Sequence, residues 1–180
     1  MALQPPTFLT EEKSMFKRLL VAIDHSPSTS VTLSFATALA RSEGSASVHV
    51  LHVNRFLVGG RGVTELSNDE ATQLVSQAVL QLLEEGVDTT GAVLRSSCFS
   101  IGQTIAGAAH ANGSEVIVLG SHRRTVVPLL FGQGIRERIT RSSALPILTA
   151  PAPLRVPGRR RYRRAVSHPD HLRQPSPIPN

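Results

Sequence analysis

Residues 17–53, KRLLVAIDHSPSTSVTLSFATALARSEGSASVHVLHV, contain one complete strand–helix–strand pattern. The first seven of them are mostly apolar and end at the turn signal DHSP, which is typical of a short buried strand. Apolar residues then recur at helical spacing from Val31 to Ala40, and Gly44 ends that segment. Residues 46–53 alternate and are rich in β-branched side chains, so they predict a second strand.

The rest of the chain repeats this alternation. After residue 53 comes a polar loop with three glycines, and Ser67 and Glu70 then have the spacing of a capping box that opens a helix. Further elements are predicted in this order: a strand at 89–97, a helix at 101–113, a strand at 115–120, a helix at 135–144 and a strand at 145–150. The alternation predicts an α/β fold, a doubly wound, five-stranded parallel sheet with helices on both faces. Ligands of such sheets bind beyond the carboxyl ends of the strands, which places candidate positions at Asp24 and Gly120.

The 180 residues, 41% of them apolar, can bury one sizeable core. We expect a single domain at 16–150, a short extension at 1–15 and a C-terminal tail at 151–180. The tail contains seven of the twelve prolines and few residues for a core, so it is predicted to be disordered. The chain has no run of about 18 apolar residues and no signal-peptide pattern, which predicts a cytoplasmic protein with no membrane contact.

The net charge of +6 belongs to the tail. Residues 151–180 contain seven arginines and one acidic residue, Asp170, whereas residues 1–150 are neutral overall. Five of those arginines surround Tyr162 within six positions. This arrangement suits a nucleic acid or another acidic partner, because arginines contact phosphates and an aromatic ring stacks on a base. An unselected, solvated extension explains the same composition equally well.

Candidate catalytic and metal-binding residues are few. Asp24, His25 and Ser26 are adjacent, so their side chains point in different directions and a turn is favoured over a catalytic triad. His49 and His52 are three apart in a predicted strand, which places them on opposite faces and prevents them from sharing a metal ion. The chain has two lysines, and neither follows the glycines of a Walker-type loop. We therefore predict that the protein is not an enzyme.

Four segments carry a resemblance to a known family. They are LLVAIDHS at 19–26, VHVLHV at 48–53, EVIVLGSHRR at 115–124 and GIRERITRSSALPIL at 134–148. Together they resemble the universal stress protein (UspA-type) family over about residues 16–150. The resemblance implies a Rossmann-like, adenine nucleotide alpha hydrolase-like domain that acts in the stress response, often with bound ATP, as a homodimer joined along the fifth strand. Pro151 and Pro153 follow that strand, and proline cannot donate to a ladder, so any such pairing should be short.

The phosphate-binding part of the family pattern is degenerate in this chain. After its fourth strand the family places Gly, two residues, Gly, nine residues, and then Gly with Ser or Thr. Without gaps these positions fall on Gly120, Arg123, Gln133 and Gly134, so two glycines and the hydroxyl are absent. A loop one residue shorter would use Gly132 as the third glycine. Arginine and glutamine carry a Cβ that disfavours a left-handed backbone, which weakens a backbone cradle for phosphate.

The resemblance also indicates which residues would hold an adenine nucleotide. Asp24 would contact the adenine or nearby groups, the backbone of Val48 would meet the base, and Arg123 and Arg124 would replace lost donors with charge-assisted hydrogen bonds. Alternatively, Asp24 caps the first helix and both arginines are solvated. We expect ATP to bind weakly or not at all. The full candidate set is Ala22, Asp24, Val48, Gly120, Ser121, His122, Arg123, Gly132, Gln133 and Gly134.

Overall fold

The computed structural model describes residues 14–56, 65–121 and 134–152. Expectations for most of the N-terminal extension, for the Arg-rich tail and for His122, Arg123, Gly132 and Gln133 lie outside these ranges. The described elements, in chain order, are β1 (Arg18–Ile23), α1 (Thr29–Ser42), β2 (Ser47–Phe56), α2 (Asn68–Glu84), β3 (Thr89–Ser97), α3 (Ile101–Ala111), β4 (Val116–Leu119), α4 (Ile135–Ser142) and β5 (Ile147–Thr149).

The described strands form one parallel sheet in the order β3-β2-β1-β4-β5. The chain adds strands outward from β1 to β3, then returns to the other side of β1 for β4 and β5. The order therefore reverses between β1 and β4, whose carboxyl ends are level because Ala22 pairs with Leu119. The predicted doubly wound sheet is confirmed, and its switch point lies between these two strands.

The side chains of β1 alternate between two cores. Leu19, Val21 and Ile23 pack with apolar residues of α1 and α2 on one face of the sheet. Leu20 and Ala22 point the other way and pack with residues of α3 and α4. Helices thus cover both faces, as predicted, and this double burial explains why the central strands are continuous apolar runs in the sequence.

The end of β2 differs from the prediction. The strand continues through Asn54 and Arg55 to Phe56, a stretch that we predicted as the start of a polar loop. Asn54 is fully buried; its side-chain amide donates to the backbone oxygen of Leu66 (2.8 Å) and accepts from the backbone N–H of Leu66 (3.2 Å). Arg55 forms an ion pair with Glu65 in the same segment. The strand can continue through polar residues because distant parts of the chain satisfy their hydrogen bonds.

The predicted capping box at the start of α2 is confirmed. The Ser67 hydroxyl accepts from the backbone N–H of Glu70 at 3.2 Å, and the Glu70 carboxylate accepts from the backbone N–H of Ser67 at 2.8 Å. The hydrogen bond from this backbone N–H, together with one from the Ser67 hydroxyl, lowers the pKa of Glu70 from its ordinary value of 4.5. The cap therefore favours the ionised form of Glu70.

Helices α3 and α4 lie in close contact at Gly102. A Cβ at this position would lie 2.6 Å from Cβ of Arg138 and 2.8 Å from its carbonyl carbon. Nη1 of Arg138 donates to the backbone oxygen of Cys98 at 2.7 Å, just before α3. Gly102 and this hydrogen bond together set the position of α4, which follows the loop of the candidate site.

We expect Gly102→Ala to destabilise the fold by about 1–3 kcal/mol, because the added methyl group meets the backbone of α4 rather than a flexible side chain. Gly107→Ala in the same helix is the matched control, because nothing lies within 4 Å of its added Cβ. Removing a glycine from an open helical position should stabilise by about 0.5–1 kcal/mol. Urea unfolding of both variants measures these changes, and equal effects would contradict the close approach.

The capping box predicts a pH dependence of stability. Because the pKa of Glu70 is lower in the folded state than its unfolded value of 4.5, its contribution is present above pH 4.5 and is lost as the pH falls through the folded pKa. Urea unfolding of the wild type and of Glu70→Gln from pH 3 to pH 7 should therefore show a stability difference that shrinks on acidification. Glu84→Gln at the other end of α2 is the control, and an equal trend there would refute the cap as its cause.

Candidate functional site

The candidate site lies at the carboxyl edge of the sheet, where the strand order reverses. Asp24 follows the last residue of β1, and Gly120 follows the last residue of β4. Ala22 lies one residue below the end of β1 and pairs with Leu119, so these positions come together on adjacent strands. Ser121 continues from Gly120, and its hydroxyl donates to the backbone oxygen of Pro151 at 3.2 Å, which links the exits of β4 and β5.

Asp24 closes a turn between β1 and α1. Its Oδ1 accepts from the backbone N–H of Ser26 at 3.1 Å, the pattern of an Asx turn. The N-cap of α1 is Ser28, so the interpretation of Asp24 as the cap of the first helix is wrong. Oγ of Ser26 shares a hydrogen bond of 2.7 Å with Oγ of Ser28, in which either hydroxyl can donate, and not with His25 or Asp24, as expected for a turn and not for a triad. Within the described ranges, the hydrogen bonds to the Asp24 carboxylate are made to Oδ1.

Gly120 is favoured by close packing rather than by an unusual backbone angle. A Cβ here would lie 3.0 Å from Oγ1 of Thr32 and 3.7 Å from Oγ of Ser28, both of which are buried residues at the start of α1. Its φ is not in the left-handed region, where we expected the glycines of this loop to be needed. The absence of a side chain lets the exit of β4 pass directly over α1.

Gly134 begins α4 and has open space around it. Its φ of −62° and ψ of 154° are accessible to any residue, and nothing lies within 4 Å of an added Cβ. Its backbone N–H donates to Oε2 of Glu137 at 3.2 Å. The fold would accept Ser or Thr at this position, so packing does not explain why the chain lacks the hydroxyl of the family pattern here.

The structure corrects the place of Val48. It pairs with Leu19 near the amino end of the sheet, about 17 Å along β2 from Val53 at 3.3 Å per residue. Because Ile23 pairs with His52, the residue level with Asp24 is Val53. Val48, which the family resemblance suggested, therefore lies away from the carboxyl edge, and Val53 is the strand-two residue level with Asp24.

His52 supports the end of β1 from below. Its Nδ1 lies 3.1 Å from the backbone oxygen of Ile23, and since a carbonyl only accepts, Nδ1 carries the proton and donates. Its Nε2 is buried and has no hydrogen-bond partner among the described residues. His49 lies on the opposite face, as predicted. Within the same residues no cluster of three or more His, Cys, Asp or Glu side chains is placed to hold a metal ion.

Two surface hollows lie at the opposite, amino edge of the sheet. One, of about 130 Å³, is bordered by Val48, His49 and Thr90 among others, and the second, of about 340 Å³, lies between the ends of α3 and α4. In the first, His49 Nδ1 is 2.8 Å from Thr90 Oγ1, and burial lowers the pKa of the imidazole. Neither hollow includes a residue of the carboxyl edge, so neither belongs to the candidate site.

The candidate residues His122, Arg123, Gly132 and Gln133 lie outside the described ranges. The site as described is therefore formed by the two ends of that loop together with the turn after β1. In the part of the chain that the structure covers, no helix is both long and apolar enough to span a membrane.

The comparison with protein families decides the assignment. The model of the universal stress protein family matches residues 15–151. The chain belongs to the universal stress protein family. The resemblance seen in the four sequence segments is thereby confirmed, and none of the curated proteins compared matches the chain.

Solved structures of other universal stress proteins share the fold. One from Burkholderia pseudomallei is 22% identical, with a TM-score of 0.60 over 77% of this chain and 98% of that chain. One from Archaeoglobus fulgidus, in complex with dAMP, is 22% identical, with a TM-score of 0.56 over 74% of this chain and 97% of that chain. A third, in complex with cAMP, is 13% identical, with a TM-score of 0.57 over 74% and 95%. At these identities the likeness is one of fold.

Sequence reasoning missed the roles of Val53, Thr32 and Glu137 in this universal stress protein. Val53 can be identified only from the strand register, and Thr32 only from the packing of α1 under Gly120. A sequence pattern reports neither. Glu137 did leave a signal, because an acidic residue three positions after Gly134 has the spacing of a helix cap.

Proposed function

We propose that this universal stress protein is a small cytoplasmic protein of the stress response that binds an adenine nucleotide weakly at the carboxyl edge of its sheet. The observation that carries the proposal is that the turn of Asp24 and the exit of β4 at Gly120 meet at the switch point, the usual ligand position in such folds. Two structural neighbours, complexed with dAMP and cAMP, support an adenine ligand.

The described residues fit the base better than the phosphates. Oδ2 of Asp24 accepts hydrogen bonds and suits the amino group of adenine or a ribose hydroxyl, and Val53 offers its backbone at the same level. At the phosphate end, Gly134 supplies a backbone N–H but no hydroxyl. The sequence also has Arg123 and Gln133 where the family pattern has glycine. A bound ATP would be held by Asp24, Gly120 and the start of α4. Its negatively charged phosphates would lie at the start of α4.

We further propose that the protein acts by binding and not by catalysis. Asp24 is committed through Oδ1 to its turn, and His25 and Ser26 do not form a relay with it. A role carried out through protein partners, with the nucleotide as a signal, is consistent with this arrangement.

Calorimetric titration with Mg-ATP and with adenosine tests the proposal. We expect saturable, weak binding to the protein truncated after residue 154, which lacks the basic tail, and at least a tenfold loss of affinity in Asp24→Ala, because a charge-assisted hydrogen bond contributes about 1.5–3 kcal/mol. Asp88→Ala, at the amino edge, is the matched control and should bind like the wild type.

The two forms of the protein separate two sources of binding. Heat that vanishes on truncation would assign phosphate binding to the arginines of the tail, which supports the alternative that the tail contacts nucleic acid or an acidic partner. Absence of saturable binding in both forms would rule out a nucleotide site at the carboxyl edge.

We also propose a homodimer joined along β5. This edge strand has only three residues, Ile147–Thr149, before Pro151, so the pairing is short. The backbone N–H of Ala150 donates inward to Leu119 at 2.8 Å, and because alternate residues point in opposite directions, the N–H of Thr149 faces the free edge.

Thr149→Pro should therefore remove an outward donor without breaking the sheet, and should convert the dimer to a monomer. Thr149→Val keeps the donor and is the control. Sedimentation velocity at micromolar concentration measures the oligomeric state of the three proteins. A wild type that is monomeric at this concentration would contradict the proposed dimer.

A further inference from the structure

We propose that the Arg-rich part of the chain's own tail, residues 159–166, docks on the outer side of β3 and the adjoining side of α2. We call this surface the α2–β3 edge. It consists of the unpaired side of β3, two exposed leucines of α2 and three acidic side chains, described in turn below. The inference does not depend on nucleotide binding, and it concerns the opposite edge of the sheet from β5.

The outer side of β3 has no strand partner among the described residues. The strand is nine residues long, whereas β5 at the other edge has three. The backbone N–H of Val48 donates to the backbone oxygen of Asp88 at 2.8 Å, so the even-numbered residues of β3 bond to β2. The N–H and C=O groups of Gly91, Val93 and Arg95 therefore point outward. A row of such groups is the usual template for an added strand.

The side of α2 next to this strand edge is apolar. Helix α1 lies on the opposite side of α2, because Glu85 pairs with Arg41 of α1. Successive residues of a helix are about 100° apart, which places Leu83 across the helix from Glu85, toward the free edge of β3. Leu80 and Leu83 are 58% and 47% exposed. A segment docked on β3 would cover apolar surface that no described residue covers.

The α2–β3 edge is also acidic. Residues 65–94 contain six acidic residues and neither lysine nor arginine. Three of the six carboxylates are exposed and form no ion pair with any described residue, and they belong to Asp69, Glu84 and Asp88. This charge repels a second copy of α2 and attracts a basic segment.

The tail has the complementary charge and the necessary length. Residues 159–164 contain five arginines around Tyr162. In an extended segment alternate side chains share a face, so Tyr162 and Val166 would lie together against the exposed leucines. The described chain ends at Ala152, after β5, and β3 lies four strand spacings away, about 19 Å. Residues 153–164 span up to about 40 Å, so the tail reaches the edge of its own domain.

Amide hydrogen exchange of the full-length protein, followed for each residue by NMR at low salt, tests the proposal. A docked tail would accept from the outward N–H groups of Gly91 and Val93. We expect their exchange to be at least tenfold slower in the wild type than in variants that cannot dock the tail. The N–H groups of Ala92 and Leu94 bond to β2 and should exchange at the same slow rate in every variant, which makes them the control for the fold.

Two charge-reversed variants remove the attraction from either side. One carries Arg160→Glu and Arg163→Glu in the tail, and the other carries Glu84→Arg and Asp88→Arg on the α2–β3 edge. Each should lose the slow exchange of the outward N–H groups. The protein with all four substitutions should regain it, because opposite charges face each other again. Raising the salt concentration to 1 M should weaken the protection in the wild type, because it screens these charges.

The other outcomes overturn the proposal. Equally fast exchange of the outward N–H groups in the wild type and the tail variant would show that the tail does not dock. Slow exchange that survives the tail substitutions would assign the edge to a different occupant. Slow exchange that increases with protein concentration would assign it to a second copy of the chain. If the edge substitutions speed up exchange at Ala92 and Leu94, they disturb the fold, and the tail variant alone then decides.

Discussion

The pairing of β1 with β2 on one side and β4 on the other fixes the position of every described residue in the candidate site. Ala22 pairs with both Leu51 and Leu119, so β1 and β4 end at the same level, and β2 passes beside them before it ends at Phe56. A slip of one residue in β1 would turn Leu20 into the opposite core. Burial of these side chains in the two cores therefore fixes the strand register, and the register fixes which residues lie at the carboxyl edge.

Two glycines of this chain occupy positions of the family pattern and differ in their surroundings: Gly120 stands where the family has glycine, and Gly134 stands where it has Ser or Thr. Gly120 lies against Thr32 and would be needed for packing whether or not a ligand binds. Gly134 has open surroundings and an ordinary backbone conformation, so the fold does not require it. A small residue at 120 is thus favoured by the fold itself, whereas the fold accepts other residues at 134. The family pattern combines both kinds of position, and only their surroundings separate them.

The fold could be predicted from the sequence because its signals are local. The apolar run of β1, the helical spacing of α1 and the capping box of Ser67 each lie within one element. The site was harder to predict because its geometry depends on contacts between distant segments. Asn54 extends β2 beyond its predicted end by binding Leu66, and only the strand register shows that Val53, not Val48, is level with Asp24. Asp24 was rightly placed at the edge, but only the structure shows that it closes a turn.

The two helices that begin at the switch point meet carboxylates of the protein itself. Asp24 lies before α1, which has no acidic residue in its own first turn, and Thr29 Oγ1 lies 3.5 Å from Oδ1 of Asp24. Glu137 lies in the first turn of α4, and its carboxylate accepts from the backbone N–H of Gly134. Because a helix N-terminus attracts negative charge, the carboxylate of Glu137 satisfies part of that attraction at α4, whereas Asp24 is not the cap of α1 and its Oδ1 closes the turn before the helix. In the proposed nucleotide site, Oδ2 of Asp24 is therefore the described acceptor that would meet the neutral groups of the ligand.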